Sequence, residues 1–440
     1  MIYSRASAAN FDQWSQLLSK NGEFSWDMEK LYKKSENNNS IFANDSHGTQ
    51  GELYVSSFRH PLEISQDFLN ACKSAGHEQI EDFNSEDESE GVGYFQANIY
   101  GGMRCSASTA FLDEAVRSRP NFEILSDLTA NKLNMIGSKV HSVQAVGHNG
   151  QHVRIEAEKE VILCAGALNS PKLLMLSGIG RRQDLEPLHI KCINDLQGVG
   201  QNLQDHPLLH LRCKIKQNKT PLNFSFSNLG HIMGINRQYK QTKSGVLSSN
   251  LQEIGVFLRK QNQILLNLTA TLIGSNSFQY GNGFTVSATV LSPKSKGEVR
   301  IRDRDPRKSP IFSFNLLQEK EDVEVMKHAC RQSFRILEQE PLKSQIIDIQ
   351  DKSLFENDQK LEQFIRNQCQ LKTNATGSCR MGMDDMSVVD SQFKIHNIEN
   401  LRVVDSSVIP FAISAENNIA TCILLGEKVA EEINKKYLQN

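Results

Sequence analysis

Leu401-Arg402-Val403-Val404-Asp405-Ser406-Ser407-Val408-Ile409-Pro410 is the stretch that decides the architecture. Its first half is a short, β-branched, apolar run ending on a carboxylate. That is the pattern of a buried parallel strand delivering Asp405 at its C-terminal end, where ligands of open α/β sheets sit. From Asn418 onward, Ile419, Ile423, Ala430 and Ile433 recur at helical spacing, with Asn417 or Asn418 as N-cap. A strand carboxylate and a helix N-terminus thus converge on one point. The free N–H groups of such a helix start suit phosphate or an anionic ring. A core strand followed by a packing helix accounts for the same pattern without any ligand.

Working outward, Val161-Ile162-Leu163-Cys164-Ala165-Gly166-Ala167-Leu168-Asn169-Ser170-Pro171 repeats the theme: a buried strand, a turn of small residues, and a helix through Leu176. Small residues at the turn let backbone approach a ligand closely, and they also serve plain tight packing. Further strands are expected at Phe122–Leu125, Val140–Val146 and Val153–Glu156, the last two as a meander. Asp322–Leu337 has the spacing of an amphipathic helix, and a helix is expected at Ala110-Phe111-Leu112. The Asn-rich stretch from Asn37 to Ser46 reads as a surface loop, and the acidic tract around Glu81–Glu90 as a solvated one.

At 440 residues the chain is long enough for two or more domains. With 49 basic against 51 acidic residues, charge offers no argument for nucleic acid or an anionic membrane. No apolar run approaches the roughly 20 residues that span a bilayer. Nine cysteines, scattered from Cys72 to Cys422 without a C-x-x-C pair, read mostly as buried thiols, and no metal site is expected. Sequons at Asn38, Asn44, Asn218, Asn223, Asn267 and Asn374 would permit glycosylation of a secreted chain, but no apolar leader opens the sequence, so the compartment stays open.

Asn374-Ala375-Thr376-Gly377-Ser378-Cys379-Arg380-Met381-Gly382, together with Leu401–Pro410 and Ser414–Lys428, closely resembles the C-terminal signature of the glucose-methanol-choline (GMC) oxidoreductases. Val161 to Gly180 is similar to that family's second signature. So are Asp82-Phe83-Asn84, Gly102–Ser106, Gly198–Pro207 and Leu291–Gly297 to other family phrases, and Tyr3, Ala6 and Asp12 match the closing half of its first signature. The resemblance runs from Met1 to about Ile433.

What the resemblance implies is an α/β (α+β overall) protein: an incomplete Rossmann-like parallel sheet that binds FAD, interleaved with a substrate domain of antiparallel sheet plus helices. Residues 1–36, 106–206 and 374–440 would form the FAD domain, and 37–105 and 207–373 the substrate domain. It implies hydride transfer from the CH–OH carbon of an alcohol or sugar to flavin N5. The family's catalytic positions map onto Asn374 and Asn418. Its cofactor contacts map onto Met1, Ile2, Ala130, Ala165, Gly166, Asp405, Ser406, Ile419, Ala420 and Thr421, with His206 structural.

Two departures qualify the resemblance. No G-x-G-x-x-G turn occurs in the chain, so the expectation is of a truncated sequence lacking the N-terminal FAD-nucleotide segment, with two strands absent between Phe122–Leu125 and Val161–Ala165. Asn374 stands where the family usually has the histidine base. An amide has no basic nitrogen near neutral pH, and losing a general base costs about 10²- to 10⁴-fold. No histidine lies between Leu371 and Asp385 to replace it. The alternative function is therefore a degenerate, inactive homologue that binds a partner.

Overall fold

Alternation along Pro207–Ile215 sets up the larger of two cores. Leu209, Leu211, Cys213 and Ile215 are buried on one face, with Leu208, His210 and Arg212 on the other. The strand lies in a seven-stranded antiparallel sheet in the order Ile346–Ile349, Pro207–Ile215, Gly283–Val290, Gln263–Thr271, Ile254–Lys260, Gly91–Tyr94, with Gln370–Leu371 also paired to Pro207–Ile215. Helices Glu63–Ser74, Lys320–Leu337 and Asp358–Gln368 cover the apolar face through Phe68, Met326, Cys330 and Ile365. The computed structural model describes residues 1–18, 26–41, 44–85, 90–216, 229–260, 263–271, 283–349 and 352–438.

The second core forms around the parallel pair Val161–Leu163 and Leu401–Val403, in register Val161↔Leu401 and Leu163↔Val403. Helix Gly166–Leu176, the C-terminal helix Ile419–Leu438 and the N-terminal helices Ala8–Leu18 and Met28–Ser35 contribute its other walls. Leu53, Val55 and Cys105, from the stretch expected in the substrate domain, pack here too. The mixed α/β architecture, with helices and antiparallel sheets, is as the resemblance implied.

Three local expectations are corrected. Phe122–Leu125 is not a strand: it has no ladder partner, and Ile124 and Leu125 are 49% and 51% exposed. An extended segment without a neighbour to take its N–H and C=O groups leaves them to water. The strand nearby is Leu128–Ile136 instead, paired antiparallel with Lys139–Gly147 across a two-residue turn whose Gly137 has φ +61°. The Asn-rich loop begins as a strand, Glu36–Asn38, parallel to Leu53–Val55. Among the sequons, Asn38 and Asn267 are buried, which closes them to glycosylation, and Asn218 and Asn223 lie outside the described residues, as does part of the acidic tract. No helix among the described residues is long and apolar enough to cross a membrane.

Candidate active site

The two strands of the parallel pair end side by side and their C-terminal turns are tied by one carboxylate. Asp405 Oδ2 accepts from Gly166 N at 2.9 Å and Ser170 Oγ at 2.5 Å, and Oδ1 accepts from Ser407 N at 2.8 Å. Both oxygens are thus engaged inside the protein, so Asp405 sets the shape of the turn. Ser406 opens the short 3₁₀ turn Ser406–Val408 that follows. Gly166 has φ +82°, which other residues reach at a cost, and a Cβ there would meet nothing within 4 Å. That open side, beside exposed Cys164 and Ala165, admits a flat group close to backbone.

The C-terminal helix begins at Ile419. Asn417 Oδ1 accepts from Ile419 N at 3.0 Å, and Asn417 Nδ2 donates to Ile2 O at 2.9 Å. Because Asn417 does the capping, the Asn418 side chain turns away from the helix start, and its Nδ2 donates to Asn374 O at 2.8 Å. The two expected catalytic positions are thereby joined. Asn418 Oδ1 is buried without a hydrogen-bond partner among the described residues. Of the expected contacts that follow, Ile419 is exposed, Ala420 is buried, and Thr421 Oγ1 is bonded to Tyr32 Oη at 2.9 Å. Ala420 and Thr421 therefore have only their first-turn N–H groups to offer. Ala130 is exposed on the meander, paired with Ala145.

Asn374 is held from the backbone side by Asp205, whose Oδ1 accepts from Asn374 N at 3.0 Å and Oδ2 from Thr373 N at 2.9 Å. Burial pushes the Asp205 carboxyl above its ordinary value despite these donors. Thr373, a β-branched residue, takes φ +67°, a conformation that costs on the order of 1–3 kcal/mol and that the surroundings must enforce. His206 is fully buried with Nε2 3.0 Å from Ile413 O. Burial, with Lys372 nearby, pushes its imidazole down to about 3, so it is neutral and structural.

Asn374 Nδ2 donates to Glu416 O at 3.1 Å, and here the structure adds a pair that the sequence reading missed. Lys372 Nζ lies 2.8 Å from Glu416 Oε2, both side chains nearly buried. The contact is close enough for an ion pair but off the angle of a hydrogen bond, so both atoms keep unused capacity. Their offsets were readable, each charge standing two residues before one of the paired asparagines. These groups line a cavity of about 420 Å³ whose opposite wall is the second face of the large sheet. That face carries Asn267, Thr269, Ser287 and Thr289, all buried. Asn267 and Thr289 stand in register, and the Asn267 amide and Thr289 Oγ1 have no partner among the described residues. Met1, Ile2, Leu208 and His210 also line the cavity.

Comparison with known proteins places these features in a family. The N-terminal GMC oxidoreductase model matches residues 1–208 and the C-terminal one matches 293–426. The chain belongs to the GMC oxidoreductase family. An oxygen-dependent choline dehydrogenase of Cronobacter sakazakii is 31% identical over 98% of this chain and 78% of its own length. An alcohol dehydrogenase [acceptor] of Pseudomonas putida is 31% identical over 99% of this chain and 80% of its own. Among solved structures, a formate oxidase of Aspergillus oryzae superposes with a TM-score of 0.92 at 25% identity, over 100% of this chain and 82% of that one. Pyridoxine 4-oxidase of Mesorbium loti gives 0.85 at 26% identity, over the same shares.

GMC oxidoreductases are FAD-dependent flavoproteins, and FAD is the cofactor. The residues present fit its ring end: the Gly166 side is open, the Ile419 helix start offers free N–H groups, and buried Asn418 Oδ1 lacks a partner. Two expectations draw nothing from these matches. The N-terminal family model already spans residues 1–208, which gives no support to reading the chain as truncated. Nor does any match favour an inactive homologue.

Proposed function

We propose that this GMC oxidoreductase oxidises the CH–OH carbon of a polyhydroxylated alcohol or sugar. The observation that carries the reading is the joined pair Asn374 and Asn418 at the edge of a cavity whose far wall is a buried polar sheet face. Bound FAD supplies the acceptor for the hydride, at its N5. The chain's own part is to bind and orient the alcohol and to exclude water.

The cavity favours many neutral hydroxyls over a cation. A buried polar atom left without a partner costs about 1–3 kcal/mol, so Thr289 Oγ1 on the lining, beside the polar groups of Thr269, Ser287, Lys372 and Glu416, favours a ligand rich in donors and acceptors. Lys372 and Glu416 cancel in charge. No Phe, Tyr or Trp stands among the described lining residues, so these residues offer no aromatic seat of the kind that quaternary ammonium groups favour. Choline, named for the relatives, is therefore a poorer match than a polyol.

The test is anaerobic mixing of the flavin-loaded protein with polyols, sugars, straight-chain primary alcohols and choline, followed by flavin bleaching. Polyhydroxylated substrates should reduce the flavin at least tenfold more efficiently than choline. Bleaching by none of them, or choline as the best substrate, refutes the reading.

A further inference from the structure

Oxidising an alcohol releases a proton from oxygen as well as a hydride from carbon, and Asn374 cannot take it. The sheet wall brings an imidazole to the same cavity from a strand far away in sequence. We propose that His210 is the catalytic base, accepting the substrate hydroxyl proton at Nε2; this rests on the oxidative reading above. In the balanced step, the C–H pair leaves as hydride to FAD, the O–H proton passes to His210, and a carbonyl product and an imidazolium result. The imidazolium then returns its proton to solvent.

The strand's alternation fixes which way His210 faces. Leu209 and Leu211 on either side are buried in the helix-covered core, so His210 stands on the cavity face with Leu208. Its Nδ1 lies 2.8 Å from Ser287 Oγ, the residue directly opposite in register, which orients the ring. Nε2 has no hydrogen-bond partner among the described residues. Second-residue control of one ring nitrogen, leaving the other open, is the arrangement a general base needs.

Two other charged groups at the cavity face each other. Glu416 Oε2 faces Lys372 Nζ at 2.8 Å, and its Oε1 accepts from Gln252 Nε2 at 3.0 Å. Met1 lines the cavity near Ile2, its amino group lowered by burial and Arg104 against Glu416, and among the described residues the neighbouring strands present Ser287, Thr289 and Thr269 there. Arg212 lies on the same strand, and Asp348 on the adjacent strand is in register with Lys214. Burial, then Arg212, lowers the His210 imidazole below its ordinary 6.5, so it is neutral and receptive at pH 7.

Anaerobic flavin reduction by the best polyol, measured from pH 5 to 9 on the flavin-loaded protein, tests the assignment. The wild-type rate should rise through one ionisation below 6.5 and stay flat above it. His210→Gln should lose that step and slow reduction 10²-fold or more, with substrate Kd from the same titration within threefold. His210→Asn keeps an amide nitrogen for Ser287 and guards against misfolding. Free imidazole should restore His210→Ala at least tenfold, and Asn374→His should do the same in the His210→Gln background. Reduction by either variant within threefold of wild type, or persistence of the ionisation, overturns the assignment alone. No reduction of wild-type flavin by any alcohol overturns it together with the proposed function.

Discussion

Glu160→Gln tests whether the parallel pair is held by charge at the end opposite the site. Glu160 immediately precedes Val161 and is a hub. Its Oε2 accepts from Arg402 Nε at 2.6 Å, and its Oε1 from Arg402 Nη2 at 3.2 Å, Lys436 Nζ at 2.6 Å and Tyr437 Oη at 3.0 Å. It therefore clamps both strands of the pair to the C-terminal helix. Burial alone would raise its carboxyl, but Arg402, Lys436 and Tyr437 outweigh that and hold it at about 2 against an ordinary 4.5. At 1.36 kcal/mol for each tenfold, that depression is worth about 3 kcal/mol, and solvent around half-exposed Lys436 brings it to about 2. The folded value lies below the unfolded one, so this stability is present above pH 4.5 and is lost as pH falls toward 2. More than half should be gone by pH 3.

Arg402 is 2% exposed in its side chain, so Glu160→Gln also leaves a buried guanidinium without its carboxylate. The variant should unfold in urea with about 2–3 kcal/mol less stability at pH 7, and the gap should narrow to about 1 kcal/mol at pH 3. Trp14 and Trp26 are the chain's two tryptophans and both lie in this core, so their fluorescence reports it directly. The double variant Glu160→Leu, Arg402→Met should recover most of the loss, because a buried pair replaced whole by apolar groups is close to neutral. A gap below 0.5 kcal/mol at pH 7, or one that is unchanged at pH 3, would refute the account.

Two further outcomes use the same assay. Gly166→Ala should cost about 1–2 kcal/mol from backbone strain at φ +82°, because no atom stands where the methyl would go; no change would mean that the turn relaxes. His47, buried between Glu36 Oε1 at 2.9 Å and Asp82 Oδ2 at 2.7 Å, is raised by those carboxylates against its burial, which lowers it. Its stabilisation is therefore full below pH 6.5 and lost as pH rises through the raised value. Wild type should weaken between pH 6 and 9 while His47→Gln stays flat, and parallel curves would contradict this.

The parallel pair, its two turns and the helix at Ile419 were legible because each is written in contiguous residues: β-branched runs, a glycine, a capping asparagine. Phe122–Leu125 was misread because its composition is that of a strand, and composition says nothing about whether a neighbour exists to complete the ladder. Gly137-Ser138, a two-residue loop opening on glycine, was the better signal and places the hairpin where the structure has it.

The site resisted in a different way. Asn374 and Asn418 are visible through local motifs, and so was the lack of a base near Asn374, since the loop from Leu371 to Asp385 holds no histidine. What no local window contains is the far wall. Alternation in Pro207–Ile215 says that His210 and Leu209 face opposite ways, and hydropathy would send the polar face to water. Which face meets the second core depends on the packing of strands and loops far apart in the chain. The buried polar row of Asn267, Thr269, Ser287 and Thr289 has the same origin. A base supplied by a sheet face also differs chemically from one supplied by a loop. The ladder to Ser287 holds the His210 backbone, so its position depends on the fold of the large sheet and not on the strained Thr373 turn. Loosening that turn should therefore impair the orientation of the hydroxyl by Asn374 while leaving proton transfer its acceptor.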